Sequence, residues 1–117
     1  MLINFSNHPS AQWGAEQMEA ARAYGEVEDV SFPVVAPEMS AAEVNKLADE
    51  YADMLLKLYG SSVTIHLMGE MTFTFMVVTR LKACGVKCIA STTERKTTYN
   101  SEGIKLSEFS FVKFREY

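Results

Sequence analysis

The sequence predicts an α/β fold: a Rossmann-like three-layer sandwich with a mostly parallel sheet and a C-terminal antiparallel hairpin. Three observations predict it. Short apolar runs alternate with segments of helical period. Three of these runs, at residues 2–5, 63–68 and 86–90, stop abruptly in small polar clusters. The tail instead alternates apolar and polar residues around a glycine-containing turn, the mark of a hairpin.

The elements follow in order. Residues 2–5 form a first strand. Ser10, behind Pro9, reads as the N-cap of a helix over about residues 11–24 that carries Trp13, Met18, Ala21 and Tyr24 and closes at Gly25. Residues 27–35 mix valine with acidic residues and run into Pro33 and Pro37, which suits a second strand near an edge. Ser40 with Glu43 makes a capping box, and Val44, Leu47, Tyr51, Leu55 and Leu58 recur at the helical period until Gly60. Residues 63–68 are rich in β-branched side chains on both faces, as a covered central strand requires. Residues 72–83 contain the β-favouring stretch 73–78, but their spacing behind a strand and the terminal Gly85 predict a helix. Residues 86–90 are a strand. After a turn at residues 100–103, the run Ile104, Leu106, Phe109, Phe111, Phe114 pairs back against the sheet. The order is βαβαβαββ, and right-handed crossovers put helices on both faces.

Composition narrows the function classes. With 117 residues, 48% hydrophobic and 22% charged, the chain supports one domain with one core. No apolar run approaches the roughly 20 residues of a membrane span. The N-terminus lacks the pattern of a signal peptide, so a cytoplasmic location is the default expectation. The spacing of Cys84 and Cys88 fits neither a redox CxxC pair nor a zinc site, and both read as buried small hydrophobes. Two histidines, His8 and His66, are too few for an all-protein metal cage, so no metal or cofactor is expected. The net charge of −4 repels duplex nucleic acid, and a nucleotide ligand must then be small and held in a local pocket. The chain has no P-loop, no GxGxxG and no GxSxG, which argues against an NTPase, a dinucleotide oxidoreductase and an α/β-hydrolase.

Loops leaving the carboxyl ends of parallel strands converge on one edge, where ligands bind. One pocket there would collect Ser6, Asn7 and His8 after the first run, Gly69, Glu70, Met71 and Thr72 after the second, and Ser91, Thr92, Thr93, Glu94 and Arg95 after the third.

Four of these stretches carry a resemblance: NFSNHPS at residues 4–10, MGE at 68–70, STTER at 91–95 and FVKFREY at 111–117. In this order they are similar to small CRISPR-associated proteins of type III systems. The resemblance implies a Rossmann-like fold related to the sensor domains for cyclic oligoadenylates. It also implies a ring nuclease that cleaves this second messenger, cyclic tetra-adenylate being the favoured ring, and so ends the antiviral signal. Such cleavage needs no metal, because a ribose 2′-hydroxyl attacks its neighbouring phosphate and leaves a 2′,3′-cyclic phosphate. A symmetric ring suits a homodimer with the ligand on its two-fold axis.

On this reading the protein positions the ring, stabilises the charged phosphorane and moves protons. His8 is the natural proton shuttle, with a helix-capping role as its plainer alternative. Glu70 acts as a base or orients a ribose hydroxyl, or else it simply complements a helix dipole. Arg95 holds a phosphate with a two-pronged hydrogen bond, or pairs on the surface with Glu94 or Glu116. Ser6, Asn7, Gly69, Met71, Thr72, Ser91, Thr92, Thr93 and Glu94 are the expected ligand contacts. His66 reads as a satisfied core histidine, and Trp13 as a core or dimer anchor in preference to an adenine-stacking face. A protein that binds the ring without cutting it, and a regulatory subunit with merely solvated loops, remain as alternatives.

Overall fold

In the computed structural model, which describes residues 1–117, the elements follow the expected βαβαβαββ order. They are β1 (Leu2–Ser6), α1 (Ala15–Arg22), β2 (Val27–Asp29), α2 (Ala41–Tyr59), β3 (Thr64–Met68), α3 (Met71–Ala83), β4 (Lys87–Tyr99) and β5 (Lys105–Glu116). The sheet order is β2-β1-β3-β4-β5. The first four strands are parallel, and β5 is antiparallel to β4. Chain growth therefore reverses direction at β1. A topological switch point lies between the carboxyl ends of β1 and β3, where open α/β sheets bind ligands.

The strongest sequence signals form as read. Ser40 accepts a hydrogen bond from the Glu43 amide at 3.2 Å, and the Ser40 amide donates to the Glu43 carboxylate at 3.3 Å, completing the capping box of α2. Gly60 stops that helix at φ 71°, a conformation that a side chain would strain. α3 is helical despite its β-favouring composition. Phe73, Val77 and Leu81 fall on one face and are fully buried, so packing outweighs local propensity.

The two faces of the sheet are covered unequally. On one, α2 and α3 pack against Ile3, Phe5, Ile65, Leu67 and Cys88 in a core of 14 buried residues. On the other, α1 covers a smaller cluster of Leu2, Trp13, Ala21 and Ile89. The alternating residues on this second face include Asn4, Ser6 and His66, all buried. A polar patch thus lies at the centre of the thinly covered face.

Four local expectations are corrected. The first helix is broken: a 3₁₀ turn at Ser10–Gln12 precedes α1, and Gly14 is the α1 N-cap without any side-chain bond. Ser10 does not cap α1 because its hydroxyl donates to Asp29 Oδ2 at 2.8 Å. The second strand ends at Asp29, not at residue 35, because Phe32 turns inward to meet Phe5 and Phe73 at 5.1 and 5.3 Å between ring centroids. The polar cluster 91–95 is not a loop: β4 continues through it to Tyr99, laddered to β5 from Ile89–Glu116 out to Tyr99–Lys105. Cys88 is buried as expected, but Cys84 is exposed, because it sits at the C-cap where α3 leaves the sheet. No helix is long and apolar enough to cross a membrane.

Candidate functional site

An open cavity of about 930 Å³ lies on the thinly covered face, at the carboxyl ends of β1 and β3 and along the middle of β4. Its floor is built by the strand register, which sets Asn4 beside His66 and His66 beside Ile89. Period-two alternation then sends Asn4, Ser6, His66 and Ser91 to the same side of the sheet. The start of α1, from Gly14 to Gln17, forms a second wall. The hairpin forms the third through Thr93, Glu94, Lys96, Phe109, Ser110 and Phe111. A bulge helps shape this wall: Thr92 pairs with Lys113 and Thr93 with Phe111, which leaves Val112 as the extra residue.

The floor is a continuous hydrogen-bonded chain. The Asn4 side-chain amide donates to Asp29 Oδ1 at 2.7 Å and to the His8 carbonyl at 3.0 Å. Both partners are acceptors, so the orientation of the amide is fixed and Asn4 Oδ1 faces His66 Nδ1 at 2.9 Å. An acceptor there requires the proton on Nδ1. Nε2 is then left to accept from the Ser91 hydroxyl, 2.7 Å away. Gln17 Nε2 donates to the same Ser91 oxygen at 3.1 Å. Ser6 adds a branch, donating to Asn4 Oδ1 at 2.7 Å. Trp13 Nε1 donates to the His8 carbonyl at 3.2 Å and helps hold the loop behind β1.

Electrostatics follow from burial. His66 is 2% exposed, and burial, with a smaller contribution from His8, pushes its pKa down to about 4. The ring is neutral at pH 7, in agreement with the tautomer the hydrogen bonds demand. For Asp29, burial pushes the carboxyl up, but the hydrogen bonds from Asn4 and Ser10 outweigh it and the net shift is downward.

The cavity gathers Ser6, Asn7, His8, Ser91, Thr93 and Glu94 of the sequence-derived set. The others lie elsewhere. The Thr92 hydroxyl is engaged across the ladder with the Lys113 backbone at 3.0 Å. Arg95 is exposed on the hairpin and donates to Ser107 at 3.2 Å. Gly69 and Met71 line a separate apolar groove with Phe75 and Tyr117. Gly69 also has a steric role, since a Cβ there would penetrate the Phe32 ring. Glu70 is the N-cap of α3: it accepts from the Phe73 and Thr72 amides at 2.8 and 3.1 Å and from the Thr72 hydroxyl at 2.9 Å. The Phe73 amide, aided by the Thr72 hydroxyl, lowers its pKa. Replacing Glu70 with Ala is expected to cost about 1 kcal/mol, the usual worth of an N-cap. Urea unfolding checks this, and an unchanged midpoint would contradict the capping role.

Comparison with known proteins places the whole arrangement in one family. The model described as "Uncharacterized protein MJ1673 family" matches residues 1–115. The chain belongs to the MJ1673 family. No curated protein and no solved structure matches it. The match reaches every element of this MJ1673-family chain, β5 as far as Arg115, and includes all of the cavity residues.

Asn4, Gln17, Asp29 and His66 are the site residues that sequence reasoning missed. Asn4 and His66 interrupt otherwise apolar strands at their centres, and a polar residue placed there needs a partner. That pair was the available signal. Gln17 and Asp29 had none, because their partners lie 74 and 25 residues away. Trp13 takes the core role, its ring edge-on to His66 at 5.3 Å between centroids.

Proposed function

We propose that the protein is a metal-independent ring nuclease. It binds a cyclic oligoadenylate, with cyclic tetra-adenylate the favoured ring, and opens it by attack of a ribose 2′-hydroxyl on the adjoining phosphate. The observation that carries the reading is the polar cavity at the β1/β3 switch point, which brings together Ser6, Asn7 and His8 of the resembling stretch at residues 4–10 and Ser91, Thr93 and Glu94 of that at 91–95.

Each wall has a task in this reaction. The uncapped start of α1 offers amide donors and the positive end of a dipole to a phosphate. Lys96 brings the positive charge of the hairpin wall. Thr93 donates from the wall, Ser91, whose proton is held by His66, offers its oxygen from the floor, and Glu94 accepts from ribose hydroxyls. Phe109, 70% exposed, offers a face on which an adenine stacks. His8, exposed at the rim, moves the proton from the 2′-hydroxyl or to the leaving oxygen. At about 930 Å³ the cavity matches one small ligand and not a complete ring of nucleotides, so a second copy related by a two-fold axis supplies the remaining contacts.

A second reading has its own support. Glu70 and Arg95 stand away from the cavity, so His8 alone of the three expected reactive groups borders it. That favours a protein that binds the ring without cutting it. Incubation with cyclic tri-, tetra- and hexa-adenylate in EDTA, followed by chromatography, separates the two. Linear products from the tetramer are expected, with a roughly 100-fold lower rate for His8→Ala at unchanged binding. Tight binding without products would replace cleavage by sequestration. Neither binding nor products would overturn both.

A further inference from the structure

We propose that Ser91 is a nucleophile, with His66 as its general base, that accepts the acyl group of small activated carboxylic esters. This activity lies beyond ring opening, in which the substrate supplies its own nucleophile. It rests on the three side chains of the cavity floor, whose relation is that of a nucleophile, a base and the group that orients the base.

The geometry is complete at each contact. Ser91 Oγ stands 2.7 Å from His66 Nε2, within reach for proton transfer. On the far side of the ring, Asn4 Oδ1 stands 2.9 Å from Nδ1 and fixes the tautomer that leaves Nε2 free to accept. Asn4 is itself held by Asp29 at 2.7 Å, and both are positioning residues. Such a constellation is recognised by its geometry and roles and not by position in the sequence, so the lack of a GxSxG elbow does not oppose it. The members come from β1, β3 and β4, three adjacent parallel strands, which hold them more rigidly than loops would.

Two further features suit acyl transfer. Gln17 Nε2 lies 3.1 Å from Ser91 Oγ, so an amide donor stands beside the nucleophile, two bonds from the substrate carbonyl oxygen that becomes the tetrahedral oxyanion. Ser91 is partly exposed at the cavity floor, with Met68 and Phe111 offering apolar surface to a short acyl chain.

The step balances with water as the sole co-reactant. Ser91 Oγ bonds to the ester carbonyl carbon and its proton passes to His66 Nε2. The carbon–oxygen bond to the leaving group breaks, and the leaving oxygen takes that proton. Water then attacks the acyl-serine, gives a proton to His66, and Ser91 recovers it as the carboxylic acid departs.

The test treats the purified full chain with a small alkyl fluorophosphonate and, separately, with p-nitrophenyl acetate, and locates adducts by peptide mass spectrometry. In the first reaction an Oγ–P bond forms, the P–F bond breaks, and the proton leaves with fluoride. A single fluorophosphonate adduct on Ser91 is expected, and with p-nitrophenyl acetate an acetyl group on Ser91 or, where water removes it, p-nitrophenolate release that Ser91→Ala lacks. The labelling rate is expected to fall roughly 100-fold in His66→Gln and labelling to vanish in Ser91→Ala, with circular dichroism verifying both folds. Mapping on the unmodified chain keeps the test decisive if either variant unfolds. No fluorophosphonate adduct, an adduct on another residue, equal labelling of Ser91→Ala, or neither an acetyl adduct nor p-nitrophenolate release above that of Ser91→Ala would overturn the proposal.

Discussion

Between pH 7 and pH 4 the folded state is expected to lose about 3 kcal/mol through His66 alone. The sign follows from its two protonation equilibria. In the folded chain burial holds the imidazole at about 4, whereas its ordinary value is 6.5. Between those values the unfolded chain binds the extra proton and the folded chain refuses it, so acid favours unfolding. The stabilisation is present in full above about pH 6.5 and is lost as the pH falls toward 4. Below 4 both states carry the proton and the loss levels off.

Urea unfolding at pH 7.0, 5.5 and 4.0 on the wild type and on His66→Gln isolates this contribution. The wild-type stability should drop steeply across the window, and the variant should be nearly flat between pH 7.0 and 5.5. Asp29 and Glu70 also lose stabilisation in acid, since their folded pKa values are lowered, but that loss sets in near their ordinary values of 3.8 and 4.5 and not between 5.5 and 7. Equal slopes for the two proteins in the upper half of the window would show that His66 is not buried neutral.

The order of elements was legible because it is written locally. The capping box at Ser40 and Glu43, the helical period from Val44 to Leu55, and the glycine stops at 60 and 85 act over a few residues, and tertiary packing agrees with them. The site was half legible. The polar residues ending β1 gave Ser6, Asn7 and His8, but the extension of β4 hid itself. Residues 91–99 are polar and threonine-rich, which reads equally as a loop or as a solvent-facing strand. Only pairing with β5 decides, and that partner lies up to 27 residues further along the chain, from Ile89 to Glu116. Arg95 was drawn into the site by the loop reading and leaves it for the same reason: in a strand, each residue advances the chain by about 3.3 Å, and that distance carries it out along the hairpin. His66 shows a different limit. A histidine in an apolar strand reads as core, and it is core, yet the thin cover of α1 places the same ring at the floor of a cavity. Burial and participation in a site are not alternatives here.

Asn4→Ala is expected to be the most damaging single polar substitution, at about 3–5 kcal/mol. Asn4 is 1% exposed and meets four groups: Asp29, the His8 carbonyl, Ser6 and His66. Truncation to alanine removes one side chain but deprives four partners, and the His66 Nδ1 proton is left buried without an acceptor. Such orphaned groups lose their full desolvation cost, which is why the sum exceeds the roughly 1 kcal/mol net worth of an ordinary hydrogen bond. Ser6→Ala, which removes one branch, should cost about 1 kcal/mol by the same argument. Urea midpoints at pH 7 rank the two, and a loss below 1 kcal/mol for Asn4→Ala would mean that water replaces the amide without penalty. The comparison also bears on function. If Asn4 sets the His66 tautomer, its loss frees the imidazole to rotate and place a proton toward Ser91, where an acceptor is needed. Labelling of Ser91 should then fall even in the fraction of Asn4→Ala that remains folded, linking the most costly structural contact of the sheet to the chemistry of its one polar face.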